Sequence, residues 1–296
     1  MTCSRAPLPP SYTECRRVAR RAASSFYPCF FLLRQPRRRA IEALYAFMRH
    51  TDDLADARGV KDRAAALQDW RGGLEAAIAG KIVRPAGPAQ KILVAVADTA
   101  ERFQIPHRHL FDVIGGVAMD LQPRRYATFE ELAGYCDLVA GAVGRACIRI
   151  WGFCGEEPVE PARACGLAFQ MTNILRDLRE DAQRGRVYLP EEDLARCGYT
   201  EADLAAGVAD ERFLQLMQRQ IERTEALYAR ALPLAPRLAP EGRRMFLMMV
   251  QVYQRLFEMI RADPARVLSR RVALGPVEKL AILFRAVAGP AGGGLR

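Results

Sequence analysis

Apolar residues recur at every third and fourth position along most of the chain, which is the spacing of one face of an α-helix. Alternating Val and Ile residues, which indicate strands, are nearly absent. Signals for helix starts come in a regular order, from Pro36 through Thr128, with Glu131 three residues later, to Pro190 and Thr200. The pattern predicts an all-α protein, folded as a bundle of about ten helices.

The chain of 296 residues is long enough for one large domain with a substantial core, or for two small ones. Breaks with Pro and Gly at 84–88 and 156–161 are short enough to be loops between helices, and neither marks a domain boundary. We therefore predict a single domain over 1–296, with flexible ends at about 1–20 and 288–296.

A polar stripe runs along the helix predicted within 169–190. Asp177 and Asp181 project within about 20° of Gln170, and Asn173 lies about 60° away. The other faces of this helix are apolar and suited to packing against neighbouring helices. The stripe is therefore expected to face an internal cavity rather than bulk solvent.

A second acidic helix has the same arrangement. Arg49, Asp52 and Asp56 follow Tyr45 by four, seven and eleven residues and project from one side, whereas Asp53 lies about 80° off that line. Two carboxylates about 6 Å apart repel by roughly 3 kcal/mol at an effective dielectric constant near 20. Bringing two such pairs together multiplies this cost, and divalent cations remove it.

Mg²⁺ suits this set of groups because it prefers carboxylate oxygen and water and commonly bridges substrate phosphates. Arg49, Arg176 and Arg186 can bind the anionic oxygens that the metal leaves free. The two stripes together predict a cavity that binds a diphosphate through Mg²⁺, with Mn²⁺ as an alternative ion. Either motif alone is also explained by a solvated helix face with salt bridges one turn apart.

Several segments carry a resemblance to a known family: SSFY at 24–27, DDLAD at 52–56, YCDLVAGAVG at 135–144, NILRDLRED at 173–181 and RGRVYLP at 184–190. The chain resembles the squalene/phytoene synthase family, the head-to-head prenyl transferases, over nearly its whole length. It is most similar to the hopanoid-pathway branch of bacterial presqualene diphosphate synthases. The resemblance implies a helical bundle of the isoprenoid-synthase type around a central apolar cavity.

The resemblance also implies the residues of the site. Metal ligands for three Mg²⁺ ions are Asp52, Asp53, Asp56, Asn173, Asp177 and Asp181. Substrate-binding residues are Ser25, Phe26, Tyr45, Arg49, Val139, Val143, Gly144, Gln170, Arg176, Arg186, Tyr188, Tyr253 and Arg271. Catalytic residues are Tyr45, Arg49, Asp52, Asp56, Asp177 and Asp181. The position of Arg271 is ambiguous by one residue with Arg270. Where some family members have a His and a Lys before the first Ser-Phe pair, this chain has Ala22 and Ser24.

The implied reaction joins two farnesyl diphosphates head to head into presqualene diphosphate, with release of diphosphate. This step feeds squalene and hopanoid synthesis through downstream squalene-forming enzymes, and NADPH is not expected as a cofactor. Alternatives within the family are phytoene synthesis from two geranylgeranyl diphosphates and direct synthesis of squalene or dehydrosqualene. A further alternative is a non-catalytic assembly factor of the same fold, although such homologues have lost motif aspartates that are intact here.

The helix expected over 135–151 has small residues in its middle, including Gly141 and Gly144. Each glycine costs roughly 1 kcal/mol in a helix relative to alanine, so another interaction must offset the cost. One explanation is tight helix packing. The other, favoured by the resemblance, is a smooth apolar channel for a prenyl chain beside Val139, Val143 and Gly144.

A net charge of +10 suits nucleic acid, anionic lipid or an anionic substrate. No nucleic-acid motif accompanies the charge, so nucleic acid is not an expected partner. The eight cysteines include no CxxC pair and indicate reduced thiols in a cytoplasmic protein. The sequence shows neither a signal peptide nor a membrane span. Peripheral contact with the inner membrane face, through an amphipathic segment at 276–287, is a minority hypothesis.

Overall fold

A computed structural model of the chain describes residues 8–22, 27–56, 62–82, 84–275, 278 and 281–282. The described residues form α-helices joined by short loops, and the one β-type pairing among them is an isolated bridge between Phe153 and Leu238. The α-helices are α1 (Leu8–Arg21), α2 (Arg37–Asp56), α3 (Arg63–Ile78), α4 (Pro88–Arg102), α5 (His107–Met119), α6 (Phe129–Cys136), α7 (Ala142–Trp151), α8 (Val159–Gln183), α9 (Glu191–Cys197), α10 (Glu201–Ala206), α11 (Glu211–Ala231), α12 (Pro240–Ala262) and α13 (Arg266–Ser269). This confirms the predicted all-α class.

The predicted helix starts agree with the structure. Thr128 caps α6 by accepting a hydrogen bond from the Glu131 backbone N–H at 3.4 Å, and Thr200 forms a capping box at the start of α10. Pro190 immediately precedes α9, and the first acidic helix, α2, begins one residue after Pro36. These starts are predictable because a cap is a local interaction between residues three positions apart.

A π-helical turn, Asp137–Gly141, joins α6 to α7, so the helix predicted from Thr128 through Ile150 is one run with a bulge in its middle. The extra residue of such a turn reorients the side chains that follow it, and π-bulges are frequent at functional sites. Here the turn packs against α5 and α8 and presents Val139 to the interior of the bundle.

The long helix α8 organises the core. Its apolar residues, among them Leu167, Met171 and Leu178, are almost fully buried, and it packs most extensively against α11. The hydroxyls of Thr172 and Tyr228 are hydrogen-bonded at 2.9 Å across this interface. A buried polar group is costly unless it is paired, so this hydrogen bond holds the register between the two helices.

The predicted flexible end at about 1–20 includes the described residues 8–20. They belong to α1, which packs against α2 and α4 and buries Cys15 and Ala19 completely. The Tyr12 hydroxyl also donates a hydrogen bond to Asp98 at 2.7 Å. The predicted flexible end at 288–296 and most of the amphipathic segment at 276–287 lie outside the described residues. Within the described part of the chain, no helix is long and apolar enough to cross a bilayer.

Candidate active site

Two adjoining spaces lie between α2, α5, the π turn, α7, α8 and α12. One is a mainly apolar cavity of about 280 Å³, and the other is a polar chamber of about 370 Å³ that opens toward solvent. The side chains that border both are Arg49, Asp52, Val117, Val139, Gln170 and Asn173. A ligand with an anionic head and an apolar tail therefore has a place for each part.

The polar chamber brings together the paired aspartates of α2 and α8. Asp52 and Asp56 line it from one side, and Asp177 and Asp181 line it from the other. Among the described residues, no three acidic, His or Cys side chains converge closely enough to hold a metal ion by themselves. The facing pairs of carboxylates fit Mg²⁺, because this ion is usually held by one or two carboxylates together with water and substrate phosphate oxygens.

Arginines neutralise part of this acidic lining. Arg271 and Arg176 each donate an Nε–H to Asp177 Oδ1, at 2.9 and 3.0 Å, and Arg186 donates to Asp56 Oδ1 at 3.1 Å. Burial works against the charged form of Asp177, but these hydrogen bonds outweigh it and lower its pKa below the ordinary value. The same guanidinium groups can bind phosphate oxygens, so each is available to an anionic ligand.

Two other aspartates have the opposite shift. Burial raises the pKa of Asp52 to about 7, with Asp56 adding to the effect and Arg49 opposing it. Burial also raises the pKa of Asp181 to about 7, and the negative charge of Asp177 adds to it. The Asp52 side chain is exposed to the solvent-open chamber, and the protein around that chamber still disfavours its charged form. With a pKa of about 7, each of these two carboxyl groups is partly protonated near neutral pH, and a bound cation would favour its ionised form.

Sequence reasoning missed Asp120, which ends α5 and lines the polar chamber. The hydroxyls of Tyr135 and Tyr188 donate hydrogen bonds to its carboxylate at 2.7 and 3.1 Å, and the two rings stack with centroids 5.4 Å apart. Burial raises the pKa of Asp120, although both tyrosine hydrogen bonds oppose the shift. No carboxylate stands one turn away in the sequence, so spacing carries no signal for it; its partners lie 15 and 68 residues along the chain.

The apolar cavity contains the side chains that the sequence assigned to a prenyl chain. Val139, Val143 and Gly144 all line it, together with Phe30, Trp151 and other apolar residues. Tyr253 stacks on Phe169 with ring centroids 4.2 Å apart, and its hydroxyl donates to Asn173 Oδ1 at 3.3 Å. This contact joins the wall of the cavity to the polar stripe of α8.

The glycines of this wall also serve helix packing. A Cβ on Gly144 would lie 2.4 Å from the carbonyl oxygen of Ala162, and one on Gly166 would lie 2.3 Å from that of Ala140. Both distances are too short for any side chain, so α7 and the π turn touch α8 backbone to backbone. Gly144 therefore packs tightly against α8 and also lines the apolar cavity, and its contact with a prenyl chain stays a prediction.

Most predicted site residues are brought together by the fold. Tyr45 lines the apolar cavity, Gln170 and Asn173 lie at the junction, and Arg176, Arg186, Tyr188 and Arg271 line the polar chamber. The ambiguity between Arg270 and Arg271 is resolved in favour of Arg271, which pairs with Asp177.

Three predicted residues are not placed in the site. Asp53 lines neither space; it is half exposed and pairs with Arg49 at 2.7 Å, because its position on α2 turns it away from the line of Asp52 and Asp56. Its prediction as a metal ligand is not supported by this geometry. Ser25 and Phe26 lie outside the described residues.

The helical bundle, with acidic stripes on two helices beside one apolar cavity, is a fold of the isoprenoid-synthase type. The chain belongs to the squalene/phytoene synthase family, whose sequence profile matches residues 19–278. Members of this family are prenyltransferases that bind prenyl diphosphates with the help of divalent metal ions.

Individual relatives agree with this membership. A 15-cis-phytoene synthase from Synechococcus elongatus is 34% identical, over 94% of this chain and 92% of its own. A phytoene synthase from Arthrospira platensis is 35% identical, over 95% of this chain and 94% of its own. Among solved structures, a dehydrosqualene synthase in complex with ligand superposes with a TM-score of 0.82 at 25% identity, covering 95% of this chain and 96% of that one. Squalene synthase HpnC from Alicyclobacillus acidocaldarius superposes with a TM-score of 0.78 at 27% identity, covering 86% of this chain and 94% of that one.

Proposed function

We propose that this prenyltransferase condenses two farnesyl diphosphates head to head into presqualene diphosphate, releasing one diphosphate. The observation that carries the proposal is the junction of the two spaces, where Asp52 and Asn173 border both the polar chamber and the apolar cavity. A diphosphate held in the chamber places its allylic C1 at the mouth of the cavity. The new carbon–carbon bond between the two farnesyl diphosphates is then expected to form at this junction.

The polar chamber is proposed to bind and activate the diphosphate. Asp52 and Asp56 on α2, with Asp177 and Asp181 on α8, are the candidate ligands of Mg²⁺, and Asn173 is a further oxygen donor. Bound Mg²⁺ ions would neutralise charge on the leaving diphosphate and so favour ionisation of the allylic carbon–oxygen bond. Three ions are the number that the family resemblance implies, with Mn²⁺ as the alternative metal.

Arginines complete the proposed diphosphate site. Arg49, Arg176, Arg186 and Arg271 line the chamber and can exchange their carboxylate partners for phosphate oxygens. Such an exchange costs little electrostatically, because the aspartates that lose an arginine would gain a metal ion. The arginines therefore serve as counter-ions of the aspartates before substrate binding and as diphosphate ligands after it.

The apolar cavity is proposed to hold the prenyl chains and to exclude water from the carbocation. Its aromatic walls include Tyr45, Phe169 and Tyr253, whose ring faces attract a cation. Three bulky residues line the apolar cavity but not the chamber: Phe30 in the 3₁₀ helix Tyr27–Leu32, Ile41 on α2 and Leu234 in the 3₁₀ helix Leu232–Arg237. A cavity narrowed by such side chains favours the C15 substrate over the C20 substrate.

Phytoene synthesis from two geranylgeranyl diphosphates is the second candidate. One observation favours it: the relatives that are 34% and 35% identical in sequence are phytoene synthases. Synthesis of squalene or dehydrosqualene is a variant of the first proposal, in which the C30 intermediate reacts further at the same site. It is supported by the names of the two structural neighbours.

Product analysis separates these candidates. The purified protein is incubated with Mg²⁺ and either farnesyl or geranylgeranyl diphosphate, each with and without NADPH, and products are identified by mass spectrometry. The proposal predicts a C30 cyclopropyl diphosphate whose amount does not depend on NADPH. A C40 hydrocarbon from the longer substrate alone would replace it with the phytoene reaction, and a C30 hydrocarbon would replace it with the squalene or dehydrosqualene reaction.

A further inference from the structure

A basic surface runs over the exposed side of α1, the 3₁₀ helix Tyr27–Leu32 and the loop that leads into α2. It consists of Arg16, Arg20, Phe31, Arg34, Arg38 and Arg39. Residues 8–42 contain eight arginines against two glutamates, a large share of the net charge of +10 of the whole chain. Both glutamates are already paired, Glu14 with Arg17 and Glu42 with Arg38. Glu241 of α12 lies within 4 Å of both Arg34 and Arg37, and three glutamates against eight arginines still leave the region with excess positive charge.

Part of the surface is shaped as a small polar pocket between α1 and α2. Arg16, Arg38 and Arg39 line it together with Gln35 and one carboxylate, that of Glu42, around a space of about 160 Å³. The buried Nη2 of Arg38 has no hydrogen-bond partner within the described structure, although Arg38 Nε lies 3.4 Å from Glu42 Oε1. A guanidinium with an unused N–H beside two other guanidinium groups fits a phosphate oxygen.

An apolar group lies next to this pocket. The Phe31 side chain is 55% exposed, more than any other large apolar side chain among the described residues, and the Arg38 guanidinium carbon lies 3.8 Å from its ring centroid. An exposed aromatic ring among arginines is the arrangement by which proteins attach to the headgroup layer of an anionic bilayer. Charge complementarity and the exposed ring therefore favour the same partner.

The surface lies at the apolar end of the site. The 3₁₀ helix Tyr27–Leu32 places Phe30 against the cavity and Phe31 on the outside. Along α2, the 15 residues from Arg37 to Asp52 separate the surface from the polar chamber by roughly 22 Å. Docking through this surface would leave the chamber open to water-borne diphosphates and bring the apolar end close to lipid. This benefit, though not the docking itself, rests on the proposed function.

We infer that the basic surface docks the protein on a bilayer that contains anionic phospholipid. A lipid phosphate lies between Arg16, Arg38 and Arg39, and the Phe31 ring enters the headgroup layer. This surface is distinct from the amphipathic segment at 276–287 that the sequence suggested for membrane contact.

Vesicle binding of the full chain tests this inference. Co-sedimentation is measured with vesicles of phosphatidylcholine alone and of phosphatidylcholine mixed with phosphatidylglycerol. We expect binding only to the mixed vesicles, weakening as salt is added. The triple variant R16Q/R34Q/R39Q, outside the active site, should bind about 100-fold more weakly, and Phe31→Ser, which keeps every charge, about tenfold more weakly.

The matched control is R84Q/R108Q/R196Q, which removes the same charge from exposed positions elsewhere on the described structure. It should bind within about threefold of the unmodified protein. Equal losses in the two triple variants would overturn the inference in favour of a general net-charge effect. Absence of binding to mixed vesicles would also overturn it, as would tighter binding to duplex DNA that Phe31→Ser leaves unchanged. None of these readouts uses catalysis, so failure here and failure of the proposed reaction are separate results.

Discussion

The polar chamber and the apolar cavity of the active site are built in different ways. The chamber is held by ion pairs such as Arg271 with Asp177 and Arg186 with Asp56, which can be exchanged for metal and phosphate. The cavity wall is held by backbone contacts at Gly144 and Gly166, which have no room to move apart or accept a side chain. A substitution in the chamber should therefore change chemistry without changing the fold, and one in the wall should change the fold first.

The largest expected effect is loss of activity when a chamber carboxylate is neutralised. Asp52→Asn should lower turnover by at least about 1,000-fold, because metal-mediated stabilisation of leaving-group charge is worth several kcal/mol. The free energy of unfolding should change little or rise, since the pKa of Asp52 is already raised to about 7. Steady-state kinetics and urea denaturation measure the two quantities.

The matched control for this substitution is Asp53→Asn on the same helix. Asp53 faces away from the chamber and pairs with Arg49. Turnover should stay within about threefold, because exposed ion pairs contribute little. Equal losses in the two variants would contradict the assignment of Asp52, and not Asp53, to the chamber.

The apolar wall should respond in its stability. Gly166→Ala places a Cβ 2.3 Å from the Ala140 carbonyl oxygen, and the required separation of α8 from the π turn should cost about 1–3 kcal/mol of unfolding free energy. Gly115→Ala in α5 is the control, because nothing lies within 4 Å of its added Cβ. It should leave stability unchanged or raise it by up to about 1 kcal/mol. Equal free energies of unfolding for the two variants would show that α8 and the π turn can move apart to accommodate the added Cβ.

Asp120 tests whether the chamber extends beyond the two acidic stripes. Asp120→Asn keeps the size of the side chain and removes the charge that Tyr135 and Tyr188 face. Turnover should fall by about 100-fold, the size of a lost acid–base contribution, while the KM for farnesyl diphosphate changes less. The double variant Tyr135→Phe with Asp120→Asn should add little if these groups act as one network. Full additivity of the two losses would contradict a shared network.

Substrate length should depend on the cavity wall rather than on the chamber. Phe30→Ala enlarges the apolar cavity without touching the aspartates. We expect the ratio of kcat/KM values to shift toward geranylgeranyl diphosphate by about tenfold, which corresponds to a few buried methylene groups. The Phe31→Ser variant, altered one residue away on the outer surface, is the control and should leave this ratio unchanged. A shift of the same size in the control would contradict the placement of Phe30 in the wall.

The smallest effect is the dependence of metal binding on pH. The pKa values of Asp52 and Asp181 are raised to about 7, so Mg²⁺ must displace protons below that pH. Apparent Mg²⁺ affinity should rise from pH 6 to pH 8, by at most about tenfold per pH unit for each proton released. Without metal, the free energy of unfolding changes in the opposite direction. The stabilising contribution of Asp52 and Asp181 is lost as the pH rises toward 7.

Calorimetry with Mg²⁺ and inorganic diphosphate, in buffers that differ in ionisation enthalpy, counts the released protons. We expect one to two protons near pH 6 and fewer near pH 8. Binding without proton release at pH 6 would contradict the raised pKa values.

The sequence predicted the parts of the site that depend on spacing within one helix. The stripes on α2 and α8 follow from residues four positions apart, and the caps at Thr128 and Thr200 follow from residues three apart. Groups joined through the tertiary fold were harder. Asp120 meets Tyr188 across 68 residues, and spacing carries no signal for that contact.

Two further features can be recognised only in the three-dimensional structure. The π turn at 137–141 has no sequence signature that separates it from an ordinary helix, although the small residues within it signalled close packing. The α1 helix lies within the end that the sequence predicts to be flexible, and it buries Cys15 and Ala19 against α2 and α4. Packing of this kind is a property of the whole bundle and cannot be derived from local propensity.

If the chamber and the cavity together form a C30 head-to-head synthase, the protein must select farnesyl diphosphate when both substrates are present. The protein is incubated with Mg²⁺ and equimolar farnesyl and geranylgeranyl diphosphates, without NADPH, and the products are identified by mass spectrometry at low conversion. We expect a C30 cyclopropyl diphosphate as the main product, lost in Asp52→Asn and retained in Asp53→Asn. A main product of C40, or a C30 product that survives Asp52→Asn, would contradict it.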